Sequence, residues 1–168
     1  MKFFITLLFL STLVAPPLLP ARDKDSTEAG KNTTEKFDPS RNPAKDVKGA
    51  VREAKKSGRR ILLDVGGEWC KWCHYLDRFF EQNKDVADFL HEKFVVVKVN
   101  YSKENENKKF LSQYPKIPGY PHLFVLDKNG KFLWSQDTGD LESGQGHDHD
   151  KVLAFLKRWA PQPKSHGG

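Results

Sequence analysis

Apolar residues recur with helical spacing from Pro43 onward, with Ala44, Val47, Ala50, Val51 and Ala54 on one face, and the pattern stops at Ser57-Gly58 behind the basic pair Lys55-Lys56. That arrangement predicts a helix closed by glycine. Ile61-Leu62-Leu63-Asp64-Val65 is a short apolar run ended by Gly66-Gly67, which reads as a buried strand. From Cys70 to Gln82 the helical period returns, with Leu76, Phe79 and Phe80 facing inward. Asp85 is placed to cap a second short helix carrying Val86, Phe89 and Leu90. The β-branched run from Phe94 to Val99 predicts a strand covered on both faces. Lys103 to Gln113 is polar and reads as helical, and Pro115, Pro118 and Pro121 punctuate the next stretch. His122 to Leu126 is a strand, Asp127-Lys128-Asn129-Gly130 a hairpin turn, and Lys131 to Ser135 the returning strand. Gln136 to His149 reads as a long Gly-rich loop. Asp148 or Asp150 then caps a last helix whose face is Val152, Leu153, Leu156, Trp159 and Ala160, ended by Pro161. Strands alternating with helices predict an α/β fold: a central mixed sheet of about four strands, parallel in part, with helices on both faces and an antiparallel strand added by the final hairpin.

The chain ends carry a different pattern. Lys2, the apolar run Phe3 to Val14, and the small residues leading to Ala21 before Arg22 match a secretory signal peptide over residues 1–21. The run is shorter than the roughly 20 residues a membrane span needs; an uncleaved anchor or a buried helix is the other reading. Residues 22–41 are polar and read as a flexible leader, 42–160 as one domain, and 161–168 as a loose tail. The formal net charge is +6, and removal of Lys2 with residues 1–21 leaves 27 basic against 22 acidic residues. These charges alternate in sequence, which marks a solvated surface rather than a nucleic-acid site. The expected product is a monomer with no nucleic-acid partner and no stable membrane insertion.

The chain has two cysteines, three apart, in Cys70-Lys71-Trp72-Cys73. So short a loop adds little stability, and an exported protein stapled by disulfides usually has more cysteines at wider spacing. The pair sits where a buried strand gives way to a helix. First-turn N–H groups have no intrahelical partner and the helix dipole is positive there, so a thiol at that point is favoured as thiolate. Cys70 is expected at the exposed helix entrance as nucleophile, with Cys73 one turn in and shielded, as the resolving thiol. Three rivals stand beside this reading. Zinc would need four ligands, and the other soft donors are scattered histidines. Cys70 to His74 spells the C-x-x-C-H of c-type haem attachment, although the sole methionine is Met1, which leaves no methionine axial ligand after processing. Two inert buried thiols are the third. Asp64 and Lys98 lie within apolar runs, where a charge is costly without a partner, and together they read as a buried ion pair. The other reading of each is an edge position facing water.

Four segments, in order, resemble the thioredoxin family. Ile61 to Cys73 is similar to its active-site strand and Trp-Cys-x-x-Cys, and Phe94 to Asn100 to its next strand with a buried lysine. Gly119-Tyr120-Pro121-His122-Leu123-Phe124-Val125 resembles the segment of its cis-proline, and Asp127 to Lys131 its hairpin. The resemblance runs from Pro43 to Trp159 and is strongest to the exported branch that includes the C-terminal domain of the periplasmic thiol:disulfide interchange reductase. It implies a thioredoxin fold. It also implies dithiol–disulfide exchange on protein thiols and disulfides in the periplasm, with Asp64 as proton acceptor for Cys73 and Lys98 tuning it. Pro121 would be cis, with Tyr120 presenting backbone to an extended substrate. Trp69, Lys71, Trp72, Tyr120, Pro121 and His122 form the substrate side. No cofactor is implied beyond the Cys70–Cys73 disulfide, and a membrane-bound thiol donor is the upstream partner. Lys71-Trp72 stands where thioredoxin has Gly-Pro, and the intervening His of oxidising relatives is missing, so the direction of electron flow is open, with Asp64 favouring a reductase or interchange protein. Gly66-Gly67 replaces bulkier residues, which is expected to widen the groove. His74 reads as a surface residue or local modulator, and His147-Asp148-His149-Asp150 as a solvated loop capping a helix rather than a weak metal site. A thioredoxin-like binding or chaperone module without turnover is the remaining functional alternative, with a haem protein behind it.

Overall fold

The computed structural model describes residues 36–162. The signal-like residues 1–21, most of the leader and the tail from Pro163 lie outside the described residues. Helix α1 (Pro43–Ser57) starts with proline at a position that needs no N–H, and the Asn42 side chain accepts from the Ala44 and Lys45 N–H groups. Gly58 closes it at φ 77°, donating its N–H to the Ala54 carbonyl. Strand β1 (Arg60–Gly66), helices α2 (Lys71–Gln82) and α3 (Lys84–Lys93), and strand β2 (Phe94–Asn100) follow as the apolar pattern requires. Asn83, not Asp85, stands at the α3 N-cap position, and Asp85 lies inside the first turn. After the single-turn α4 (Lys108–Leu111) come β3 (His122–Leu126) and β4 (Phe132–Asp137). A 3-10 turn (Thr138–Leu141), the two-residue strands β5 (Glu142–Ser143) and β6 (Gly146–His147), and α5 (His149–Trp159) complete the described chain.

The sheet order is β2-β1-β3-β4. β1 and β2 run parallel with Asp64 opposite Lys98, whereas β3 is already antiparallel to β1, and β4 to β3. The antiparallel part thus begins one strand earlier than the hairpin alone implied. Period-two alternation sorts the side chains into two cores. Leu62 and Leu123 pack with Leu76, Phe80, Val86 and Leu156 beneath α2, α3 and α5. Ile61, Leu63, Val65, Val97 and Phe124 pack with Ala50 and Ala54 of α1. Asp64 and Lys98 therefore belong to the α2 face of the sheet.

Two expectations fail here. Lys103 to Gln113 yields one helical turn, because asparagines bond locally to backbone instead: Asn100 Nδ2 donates to the Asn105 carbonyl at 2.9 Å, Asn107 Nδ2 to the Asn100 carbonyl at 2.8 Å, and Asn107 adopts φ 47°. The loop read over Gln136 to His149 is instead the end of β4, the 3-10 turn and the β5–β6 hairpin, which returns the chain to α2. Asp148 does cap α5, accepting from the Lys151 N–H at 2.9 Å. Among the described residues no helix is long and apolar enough to cross a membrane.

Candidate functional site

Cys70 is the N-cap of α2. Its backbone is extended, and its Sγ accepts the Cys73 N–H at 3.1 Å. A cap side chain normally satisfies a first-turn donor with oxygen; here sulfur does so, which sets it in the positive end of the helix dipole. Cys70 and Cys73 are joined in a disulfide with Cα atoms 5.2 Å apart. Cys73 is buried as expected, but so is Cys70, only 4% exposed. The covering comes from Phe37, Trp72 and Tyr120, which pack against the pair. Phe37 belongs to the stretch read as leader. It is buried, its N–H donates to Glu68 Oε1 at 2.8 Å, and the Pro39 carbonyl accepts from Asn105 Nδ2 at 2.8 Å.

The glycines before the cysteines do not widen the groove. A methyl group on Gly66 would lie 2.5 Å from Cys73 Sγ and 3.0 Å from the Phe37 ring; one on Gly67 would lie 2.7 Å from the Tyr101 carbonyl. The space they vacate is filled by sulfur, Phe37 and the Trp69 indole.

The Phe37 ring links the disulfide to a charge cluster inside the fold. Lys98 Nζ lies 2.9 Å from Asp64 Oδ2, bonds Asp77 Oδ1 closely, and stands 4.3 Å from the centre of the Phe37 ring. Asp64 Oδ1 is buried with no partner among the described residues. Burial pulls the Lys98 ammonium down, but Asp64 and Asp77 together overcome it and hold its pKa above the usual lysine value. Burial pushes the Asp77 carboxyl up to about 6, which Lys98 only partly offsets and nearby Asp64 reinforces. Two carboxylates thus share one ammonium, and the cluster has a proton site near neutral pH. Asp77 was missed in the sequence. Its signal was position: four residues after Cys73, on the same side of α2.

The rim is aromatic. Trp69 is 58% exposed; its Nε1 donates to the Tyr101 carbonyl at 2.7 Å, and its ring meets Tyr120 edge-on at 5.8 Å. Tyr120 stacks on Tyr101 at 4.7 Å, and the Tyr120–Pro121 peptide is cis. Lys71 is exposed and Trp72 is half-buried among the site's rings. His122, expected to touch substrate, is a correction: strand alternation sends it to the α1 face, where it is 1% exposed, packs on Phe124 and bonds Ser135 Oγ at 2.8 Å. Burial lowers its pKa. His74 bonds the Glu68 carbonyl at 2.8 Å through Nε2. In the 147–150 run the four residues part company: His149 pairs with Asp85 and Asp150, Asp148 caps α5, and His147 packs on Trp72.

A family model described as thioredoxin-like matches residues 42–128. This chain belongs to the thioredoxin-like family. The resemblance and fold class read from the sequence are borne out, and the Cys70–Cys73 pair is that of the family's disulfide oxidoreductases. Among its relatives is the thiol:disulfide interchange protein DsbD of Pseudomonas fluorescens, 26% identical over 116 residues that cover 68% of this chain and 18% of that protein. Spermatogenesis-associated protein 20 of Homo sapiens is 39% identical over 51 residues, 30% of this chain and 6% of that protein. The chain spans less than a fifth of the first two interchange proteins it matches. The disulphide isomerase from Xylella fastidiosa Temecula1 shares the thioredoxin-like fold with a TM-score of 0.63 at 24% identity, covering 73% of this chain and 94% of that one. The oxidised C-terminal domain of Neisseria meningitidis DsbD does so with 0.54 at 16% identity, covering 74% and 99%.

Proposed function

We propose that this thioredoxin-like protein reduces or interchanges protein disulfides outside the cytoplasm, as a monomer recharged by a membrane-bound thiol donor. One observation carries the reading: Cys70 Sγ caps a helix N-terminus, and the Phe37 ring that packs on the cysteine pair also lies over the buried ammonium held between Asp64 and Asp77. In the reduced protein the Cys70 thiolate attacks a substrate disulfide and expels one substrate sulfur as thiolate. Asp64, whose Oδ1 is unengaged among the described residues, takes the Cys73 proton. Cys73 then attacks the Cys70 sulfur and releases the second substrate thiol. Two electrons leave the protein dithiol and the protein disulfide reforms. Trp69, Lys71, Trp72, Tyr120 and Pro121 provide the substrate surface. The periplasmic setting is supported by the signal-like residues 1–21 and by the interchange-protein relatives.

Insulin reduction with dithiothreitol as electron source tests the activity: the protein is expected to accelerate precipitation of the insulin chains well beyond dithiothreitol alone, and no acceleration overturns the proposal in favour of a binding module. Cys73→Ser is expected to trap substrates on Cys70 as mixed disulfides. Equal trapping by Cys70→Ser would reverse the nucleophile.

A further inference from the structure

The β5–β6 hairpin packs along α2, and between them lies a groove of about 430 Å³ lined by Tyr75, Arg78, Phe79, Asn83, Gln145 and His147 among others. Trp72 packs against the cluster of Phe37, Cys70 and Cys73, and its ring meets Tyr75 at 5.2 Å and His147 at 6.1 Å. None of the lining residues is acidic. Arg78 and Lys71 both stand over the Tyr75 ring, at 4.7 and 5.2 Å, and a hydrogen bond from Lys71 leads the effects that lower the Tyr75 phenol's pKa. The acids nearby are turned to other work: Asp64, whose charge reaches His147, and Asp77 to Lys98, Asp85 and Asp150 to His149, and Asp148 to the α5 cap. Glu142 pairs with His147 through the hairpin backbone. Both ring nitrogens of His147 are buried without a partner among the described residues, a cost that a bound polar group would relieve.

We propose that this groove is a second substrate subsite, taking a carboxylate-bearing arm of the disulfide that Cys70 attacks. Arg78, with Lys71 at the mouth, meets the carboxylate, and His147 with the Asn83 and Gln145 amides meets the peptide groups. The inference rests on the exchange reading, and each turnover is the same two-electron transfer: the protein dithiol becomes a disulfide, one substrate disulfide becomes two thiols, and the two protons follow the electrons.

The test is oxidation of the fully reduced protein, followed by tryptophan fluorescence in stopped flow, with three small disulfides: glutathione disulfide (anionic), hydroxyethyl disulfide (neutral) and cystamine (cationic). At low ionic strength glutathione disulfide is expected to react about tenfold faster than cystamine, a preference that salt erodes. Arg78→Glu should lower that ratio about tenfold and leave the hydroxyethyl disulfide rate within about twofold. Lys157→Glu, an equal change of net charge at an exposed position of α5, should leave the ratio unchanged. Equal rates for the charged disulfides, or equal responses to the two charge reversals, would overturn the subsite while leaving exchange intact. Failure of hydroxyethyl disulfide to oxidise the wild-type protein would instead remove the exchange reading itself.

Discussion

The two flanks of the Cys70–Cys73 disulfide are built from opposite materials. On one side Phe37, packed against Gly66 and the cysteines, covers Lys98 where it meets Asp64 and the half-buried Asp77, so that the charges are largely sheltered from water. On the other, Trp69 stands out into solvent, with Tyr120 and Tyr101 behind it. The closed flank suits proton transfer, because a carboxylate's affinity for a proton can be tuned only where water does not screen it. The open flank suits encounter, because exposed aromatic surface contacts a partner at low entropic cost. Sulfur chemistry sits on the line between them.

Breaking the closed flank should have the largest effect. Lys98→Met leaves the buried Asp64 and half-buried Asp77 carboxylates with no cation, and about 3–5 kcal/mol of stability is expected to be lost at pH 7, measured by denaturant unfolding. A loss below about 1 kcal/mol would mean the cluster is hydrated rather than sealed. Phe37→Ala should cost about 3 kcal/mol, the low end for a deleted buried ring, and should speed alkylation of reduced Cys70. Trp69→Ala, across the site, should cost no more than about 1 kcal/mol, the worth of its one hydrogen bond. Equal losses would erase the distinction between the flanks.

The smallest effect is a change of slope. Asp77 has a folded pKa of about 6 against an ordinary 3.8. Between those values the folded state holds a proton that the unfolded chain has released. Its contribution therefore favours folding below about pH 4 and is lost as pH rises through about 6. Asp77→Asn should flatten the fall in stability over that interval, read from thermal midpoints, and should remove an inflection near pH 6 from the exchange rate. An unchanged pH profile would place the titrating proton elsewhere.

How much of this was legible depended on how unusual each residue was for its setting. Asp64 and Lys98 stood out because a charge in an apolar strand demands a partner, and the parallel register set them opposite each other. Asp77 did not, since an acid on an amphipathic helix is ordinary and only the tertiary fold turns it inward. Phe37 was a lone ring in a polar stretch, too little for periodicity to register. The β5–β6 strands are two residues long, below the length at which alternation can be read. Asn105 and Asn107 looked like parts of a polar helix because composition does not reveal which side chains will bond to backbone. His122 was misjudged by sequence neighbourhood: adjacent to Pro121, it still projects through the other face of the sheet.

Glu68 ties two distant stretches together, since its carboxylate receives the Phe37 amide while its carbonyl engages His74 on the cysteine helix. The family match starts at residue 42, five positions after that ring. A fragment begun at residue 42 would keep every sheet strand and still lose the roof over its buried lysine, so the working boundary of the redox unit lies upstream of the boundary that homology draws.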